Sequence, residues 1–285
     1  MLITFVSPHT ILIMNGCCRK KVLNFCVILN HKGETIGKMV EKCLLDWGID
    51  GILTITCNDT SSNKLAIEWL KNSTKQWKNV ILEHEFLHVE CSGHILNFVV
   101  HDGLEQFNDS IVRVREAVRY LRSYPSRWAK WEKCVKDENV DSNKNVCLDI
   151  SNGWNSTYMM LEVAEKFEKA FQRLEDEDDG FRQYIETSNV HRNDEEDGKI
   201  TMNTRDSSAE GLPETLDWAR TKALLQFLEI YYGTMKKISG SCNVTSDILF
   251  HEIVTIKDTL KDIGNSMHFD LRDMSSRMFN ALDKY

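Results

Sequence analysis

Asn58 and Asp59 close the apolar segment Ile52-Leu53-Thr54-Ile55-Thr56, and Asp149 lies near the end of a second one, Val146-Cys147-Leu148-Asp149-Ile150. In open α/β sheets functional groups gather at strand ends, where the following loops converge. Two carboxylates from separate strands, Asp59 and Asp149, could share a divalent ion whose charge polarises a phosphodiester and activates water or a 3′-hydroxyl. A two-ion site needs a third or fourth acidic ligand, and without it carboxylate repulsion works against metal affinity. Asn58 offers only a neutral carbonyl oxygen. The same stretch, Asn58-Asp59-Thr60-Ser61-Ser62-Asn63, has a structural reading, in which Asp59 or Thr60 caps the next helix by accepting free backbone N–H bonds.

Cys91-Ser92-Gly93-His94 sets a thiol and an imidazole three residues apart, and with His84 and His88 nearby these make the single zinc grouping that sequence proximity suggests. The competing expectation is that Cys91 and His94 stabilise a strand-to-helix junction. A nucleophilic Cys–His pair finds no accompanying oxyanion arrangement. Trp154 and Asn155 open a long helix; Trp154 could stack on a base, or fill a core, and Asn155 or Ser156 is the natural cap. Arg113, Arg115, Arg119, Arg122, Arg127 and Lys130, interleaved with Trp128 and Trp131, form the best local positive surface for phosphates. Acids interspersed among them also fit a solvated face.

The elements that would carry these residues follow from periodicity. Val22 to Leu29 reads as a buried strand; Ile36, Met39, Val40, Cys43, Leu44 and Trp47 recur at helical spacing until Gly48; Ile52–Thr56 is the next strand. Strand, helix, strand at this spacing points to a parallel crossover. Helices are expected after Ser61, over 93–104 and 109–121, and from Ser156 to Leu174, with Val146–Ile150 as a strand. The acidic runs Glu175–Asp179 and Asp194–Asp197 bound a tract, 175–211, expected to be a disordered surface loop because dense like charges repel. Beyond Pro213 three more helices are expected, around 218–232, 244–260 and 271–285. The chain thus divides near residue 155 into an α/β part, 1–155, and a helical part, 156–285.

The 285 residues carry 35 basic and 43 acidic side chains, a formal net charge of -8, so no chain-wide field draws this protein to nucleic acid. Nine cysteines without repeated spacing favour a reducing compartment. The apolar opening lacks a preceding positive segment and is divided by Pro8-His9, which argues against a secretion signal. No run approaches the ~18 apolar residues of a membrane span.

Taken together, Val22-Leu23-Asn24-Phe25, Glu41 through Asp50, His88 through Asn97, Cys147 through Tyr158, and Ser239-Gly240-Ser241 followed by Val244-Thr245-Ser246 resemble the plant branch of the hAT transposase family, in particular its domesticated zinc-finger BED-domain members of the rice sleeper group. The resemblance implies an α/β fold, an RNase H-like mixed sheet with a helical insertion domain, acting on DNA in the nucleus. Residues 1–155 would be a partial RNase H-like domain and 156–285 the helical region. Active members use three acids with Mg²⁺ or Mn²⁺. The first is not matched in Ile11-Leu12-Ile13-Met14; the second heads an Asp-Asn-Ala-Ser-type stretch, which here reads Asn58-Asp59-Thr60-Ser61, with the order reversed; the third is expected beyond Tyr285 with the dimerisation region. The family's Arg-Cys-x-x-His becomes Glu90-Cys91-Ser92-Gly93-His94, and its Thr-Arg-Trp-Asn-Ser becomes Asn152-Gly153-Trp154-Asn155-Ser156, each losing an arginine and its five donors. The BED finger has no counterpart. The expectation is a truncated, catalytically inactive, transposase-derived DNA-binding protein needing no cofactor, with a related transposase-like protein as a further partner and no membrane. A residual Mg²⁺- or Mn²⁺-dependent nuclease or transferase, and a non-enzymatic interaction domain, are the alternatives.

Overall fold

The computed structural model describes residues 2–4, 11–14, 18–21, 30, 32–150, 153–188, 211–239, 246–265 and 269–284. In chain order the elements are β1 (Leu2–Thr4), β2 (Ile11–Met14), β3 (Cys18–Lys21), α1 (Gly33–Asp46), β4 (Thr54–Cys57), α2 (Ser61–Ser73), β5 (His88–Glu90), α3 (Ser92–Leu104), α4 (Asn108–Ser123), α5 (Pro125–Asp137), α6 (Trp154–Ala164), α7 (Glu168–Glu177), α8 (Asp179–Ser188), α9 (Thr215–Ile238), α10 (Ser246–Gly264) and α11 (Phe269–Leu282). The chain divides into two compact units, Met1–Leu96 with Met235–Glu252, and Asn97–Thr234 with Ile253–Tyr285. Residue 155, where the sequence changes character, lies inside the second.

In the first unit β4 is the central strand of a parallel sheet ordered β1-β4-β5, with Leu2 opposite Thr54 and Ile55 opposite His88. β2 and β3 pair as a separate antiparallel hairpin. A parallel neighbour needs a crossover, and α2 supplies it between β4 and β5. The core joins Cys43 and Leu44 of α1, Ile67 and Leu70 of α2, Ile55 of β4 and the loop residues Ile49, Ile52 and Leu87. Gly48 ends the turn after α1 at φ +65°, a left-handed position suited to glycine.

The contact between α1 and α2 explains two further glycines. A Cβ on Gly33 would stand 2.3 Å from Leu65 Cβ and 2.7 Å from the Ser62 carbonyl oxygen, and one on Gly37 would meet the Trp69 ring at 2.7 Å. Gly33→Ala is therefore expected to push α1 off α2 and destabilise the protein by about 1–3 kcal/mol. Gly233→Ala, within α9 and with nothing inside 4 Å of the new methyl, is expected to stabilise by up to about 1 kcal/mol. Denaturant melts of the two variants check both signs.

Leu82, Glu83 and His84 form a run of three left-handed residues, φ 46°, 49° and 65°, each unfavourable by roughly 1–2 kcal/mol without glycine. Buried His84 anchors it. The Thr74 hydroxyl donates to the Leu70 carbonyl at 2.6 Å, so it accepts from His84 Nε2 at 3.0 Å. That bond fixes the imidazole tautomer and ties the end of α2 to the strained turn.

The second unit is helical. Ile111, Val114, Val118 and Leu121 of α4 are at most 2% exposed, as their spacing predicts. The same unit buries aromatic pairs such as Trp131 with Phe171, ring centroids 4.5 Å apart, and Phe171 with Trp218 at 5.5 Å.

The expected fold class is corrected by this architecture. An RNase H-like mixed sheet with a helical insertion requires a sizeable mixed sheet, whereas the described residues are overwhelmingly helical, with a short three-stranded parallel sheet and a separate hairpin. The strand expected over 22–29 lies outside the described residues. Val146–Ile150 is not a strand: Val146 is buried, but Leu148 and Ile150 face solvent and the segment is tied down by side chains instead of a ladder. Of the tract 175–211 expected to be a loop, residues 175–188 form the end of α7, the linking Asp178 and α8, and 189–210 lie outside the described residues.

Candidate nucleic-acid interface

The turn after β4 is built by local bonds. Thr60, extended at φ -94°, caps α2, its Oγ1 accepting from Asn63 N–H at 3.3 Å, while Asn63 Nδ2 donates to the Asn58 carbonyl at 2.9 Å. Asp59 is left to form an ion pair with Lys64, Oδ1 to Nζ 2.7 Å. Thr60 is thus the cap, and Asp59 holds a lysine.

Asp149 is held more completely. Arg115 of α4 donates from Nε and Nη2 to both of its oxygens at 2.7–3.1 Å, and Thr157 of α6 donates to Oδ2 at 2.8 Å. The carboxylate and guanidinium side chains are only 6% and 12% exposed. Burial opposes the charge, but the Arg115 and Thr157 bonds outweigh it and hold the Asp149 carboxyl below the usual carboxylate range. Ser156 adds a second tie, its hydroxyl accepting from Ile150 N–H at 3.1 Å and lying within bonding distance of the Ile150 and Gly153 carbonyls. A two-pronged guanidinium, which a hard cation would have to displace in order to bind, sits on both oxygens and neutralises the Asp149 charge.

Among the described residues no three His, Cys, Asp or Glu side chains are grouped to hold a metal ion. The zinc grouping of His84, His88, Cys91 and His94 is therefore corrected. His84 serves the left-handed turn, and Cys91 sits between β5 and α3, its N–H donating to the Cys57 carbonyl at 3.1 Å and its carbonyl accepting from His94 and Ile95 at 2.8 and 3.0 Å. Cys91 and His94 thus occupy the strand-to-helix junction.

Trp154, the expected stacking residue, is 2% exposed and packs edge-on to Tyr231, centroids 6.5 Å apart. A side chain so enclosed is core, so a base has no face to stack on. Gly153 is the residue before α6, neither Asn155 nor Ser156 caps it, and Asn155 Oδ1 is buried.

The basic residues of α4 and α5 separate into structural and exposed groups. Arg113 donates to both oxygens of buried Asp217, at 2.9 and 3.0 Å, beside Ser110 at 2.7 Å. Arg127 lies over the rings of Tyr120, Tyr124 and Tyr184 at 3.9, 4.9 and 5.2 Å, a cation–π cluster. Lys130 reaches Asp178 at 2.8 Å and Lys133 reaches Glu177 at 3.1 Å, while Arg173 meets Asp137, Glu138 and Glu177. The acidic run and the basic helix therefore neutralise one another across α5 and α7. Arg119 pairs with Glu116 but is 46% exposed. Arg122 is exposed, with its guanidinium 5.2 Å from the Trp128 ring centroid.

Asp178 and Asp217 are anchors the sequence reading passed over. Asp178, 4% exposed, accepts from Tyr120 OH at 2.7 Å, Lys130 at 2.8 Å and Gly180 N–H at 3.2 Å, capping α8. Against the effect of burial, the lysine and the phenol hold its carboxyl low; burial and Asp178 together push the Tyr120 phenol up to about 12. Asp217 also reaches back to Glu214 N–H at 2.9 Å, the acid half of a capping box. The local signals were an acid two residues before Gly180 and one three residues after Glu214 at a helix start.

With this arrangement in hand, the comparisons with known proteins place the chain. Residues 13–86 match the family described as the ZBED1 RNase-like domain and 89–202 the ZBED1 RNase-like helical domain. Zinc finger BED domain-containing protein RICESLEEPER 2 of Oryza sativa subsp. japonica is 26% identical over 93% of this chain and 33% of its own length. The putative AC transposase of Zea mays is 24% identical over 94% of this chain and 30% of its own, and DAYSLEEPER of Arabidopsis thaliana is 24% identical over 94% and 34%. The class these matches define is transposase-derived. The chain belongs to the plant hAT transposase-like family, alongside the RICESLEEPER zinc finger BED domain-containing proteins. It spans about a third of the length of the curated relatives it matches.

Proposed function

We propose that this chain is a transposase-derived, nuclear DNA-binding protein that does not cleave strands. The observation that carries the second half is the engagement of Asp149 by Arg115 and Thr157, seconded by the Asp59–Lys64 pair, which commits both candidate carboxylates to protein cations. Support for DNA contact comes from the family and from the exposed cations of α4 and α5. Arg122 and Arg119 reach solvent there, and Lys130 and Lys133, 58% and 66% exposed, extend the positive strip although each already has an acidic partner. Phosphate contacts of this kind position a protein on a duplex without reading sequence. No helix among the described residues is long and apolar enough to cross a membrane.

A salt series with duplex DNA tests the reading. Affinity is expected to fall steeply with salt, and Arg122→Ala to weaken binding roughly threefold to tenfold while reducing the log–log salt slope by about one. Mg²⁺ or Mn²⁺ is expected to give no nicking beyond that of Asp59→Ala and Asp149→Ala protein. Loss of all DNA binding at low salt overturns the binding half; metal-dependent nicking abolished by either substitution overturns the inactive half.

A further inference from the structure

Helix α4 ends at Ser123 and α5 opens at Pro125, with Tyr124 extended between them at φ -144° and ψ 141°. Ser123, Tyr124 and Pro125 are all exposed, so this elbow offers its hydroxyl to solvent. The Ser123 hydroxyl donates to the Tyr120 carbonyl at 2.6 Å and accepts from Arg127 Nη1 at 2.5 Å, so a guanidinium already rests against the oxygen. Arg113, Arg115, Arg119, Lys130 and Lys133 each hold a carboxylate. Among the described residues Arg122 and Arg127 pair with none; their companions are the rings of Trp128 and of Tyr120, Tyr124 and Tyr184. The elbow thus places an exposed hydroxyl in contact with one arginine that lacks a counter-ion and next in sequence to another.

We propose that Ser123 is a phosphorylation site whose phosphate is held by Arg127, with Arg122 as the second cation, and so takes both arginines out of the positive strip. Arginines on both sides of the serine suit a kinase with an acidic substrate groove. With ATP as donor, the Ser123 oxygen attacks the γ-phosphorus; the new O–P bond forms as the bond to ADP breaks, and the hydroxyl proton passes to the kinase's base. The product carries a charge of about -1.5 to -2 at neutral pH, which two guanidiniums balance. The dipole of α4 opposes a negative charge at this end, and charge-assisted bonds from Arg127 outweigh it. Resting on the reading of this strip as a DNA-contacting surface, the consequence is a switch: phosphorylation weakens DNA binding about tenfold.

The test uses the full chain. Incubated with ATP, Mg²⁺ and a serine kinase that prefers flanking arginines, it is expected to gain one phosphate on the peptide carrying Ser123, which Ser123→Ala protein does not. Phosphoserine installed at position 123 is then followed by phosphorus NMR across pH. Its second ionisation is expected at least about half a unit below the ~6 of free phosphoserine, and Arg127→Gln to bring it back. Should Arg127→Gln fail to fold, Arg122→Ala, at an exposed position, is expected to restore part of the shift. A Ser123 that takes no phosphate, or a phosphoserine that titrates at ~6 with both arginines in place, overturns the proposal. DNA affinity of the phosphorylated protein within a factor of about two of the unmodified one overturns the switch. An unmodified chain without DNA affinity at low salt defeats the DNA reading alone, since the titration reports the arginine clamp with no DNA present.

Discussion

Asp149→Ala is expected to lower the free energy of unfolding by about 3–5 kcal/mol, because it strands the Arg115 guanidinium, 12% exposed, without its carboxylate. The same substitution in a metal-binding acid would mainly abolish a cation-dependent activity. Urea melts with and without Mn²⁺ separate the two: a large loss of stability indifferent to the ion is the expected result, and an ion-dependent melting shift in the unaltered protein that vanishes in Asp149→Ala would reverse the assignment. The double variant Arg115→Met with Asp149→Leu, which removes both charges at once, is expected to recover much of the loss. The pair also sets an acid limit. Because the Asp149 carboxyl is held low in the folded protein, its contribution is fully present above the unfolded value, ~3.9, and is lost as pH falls through the folded one. Asp178 shifts in the same direction and adds to the same acid limb.

The second large effect is expected at Trp154. Truncation to alanine removes a side chain that is 2% exposed and should destabilise the protein by about 3–5 kcal/mol through the lost burial and the cavity left beside Tyr231. Trp154→Phe keeps a ring against Tyr231 and should lose less. DNA affinity of the folded Trp154→Phe protein is expected to match that of the unaltered protein within a factor of about two, since an enclosed indole offers no surface for base stacking. A tenfold loss of affinity with the melting curve unchanged would return Trp154 to the interface.

The helices were legible where one face alone decides the outcome. Cys43 and Leu44 mark the buried face of α1, with Ile36, Met39 and Val40 half-buried and Trp47 of the same stripe exposed beyond the helix end, and Ile111, Val114, Val118 and Leu121 mark α4, because periodic apolar residues specify burial locally. The Asp59 turn was legible for the same reason, since a cap is settled within four residues. What escaped depends on residues far apart in sequence. Val146–Ile150 has strand composition, yet its conformation is settled by Arg115, 34 positions before Asp149, and by Thr157. Glu175–Asp179 has the composition of a repelling tract, but Lys130, Lys133 and Arg173 meet it from two helices. Gly33 and Gly37 carry no local sign that Leu65 and Trp69 of the next helix approach them.

The meeting of α5 with the acidic end of α7 has a bearing on how a polyanion would engage this protein. Lys130 and Lys133 already have internal counter-ions in Asp178 and Glu177, so a phosphate arriving there substitutes for a carboxylate and displaces few mobile ions from solution. The surface behaves as a loaded ion exchanger: its count of lysines overstates its pull, and attraction concentrates on the arginine whose nearest companion is an indole ring.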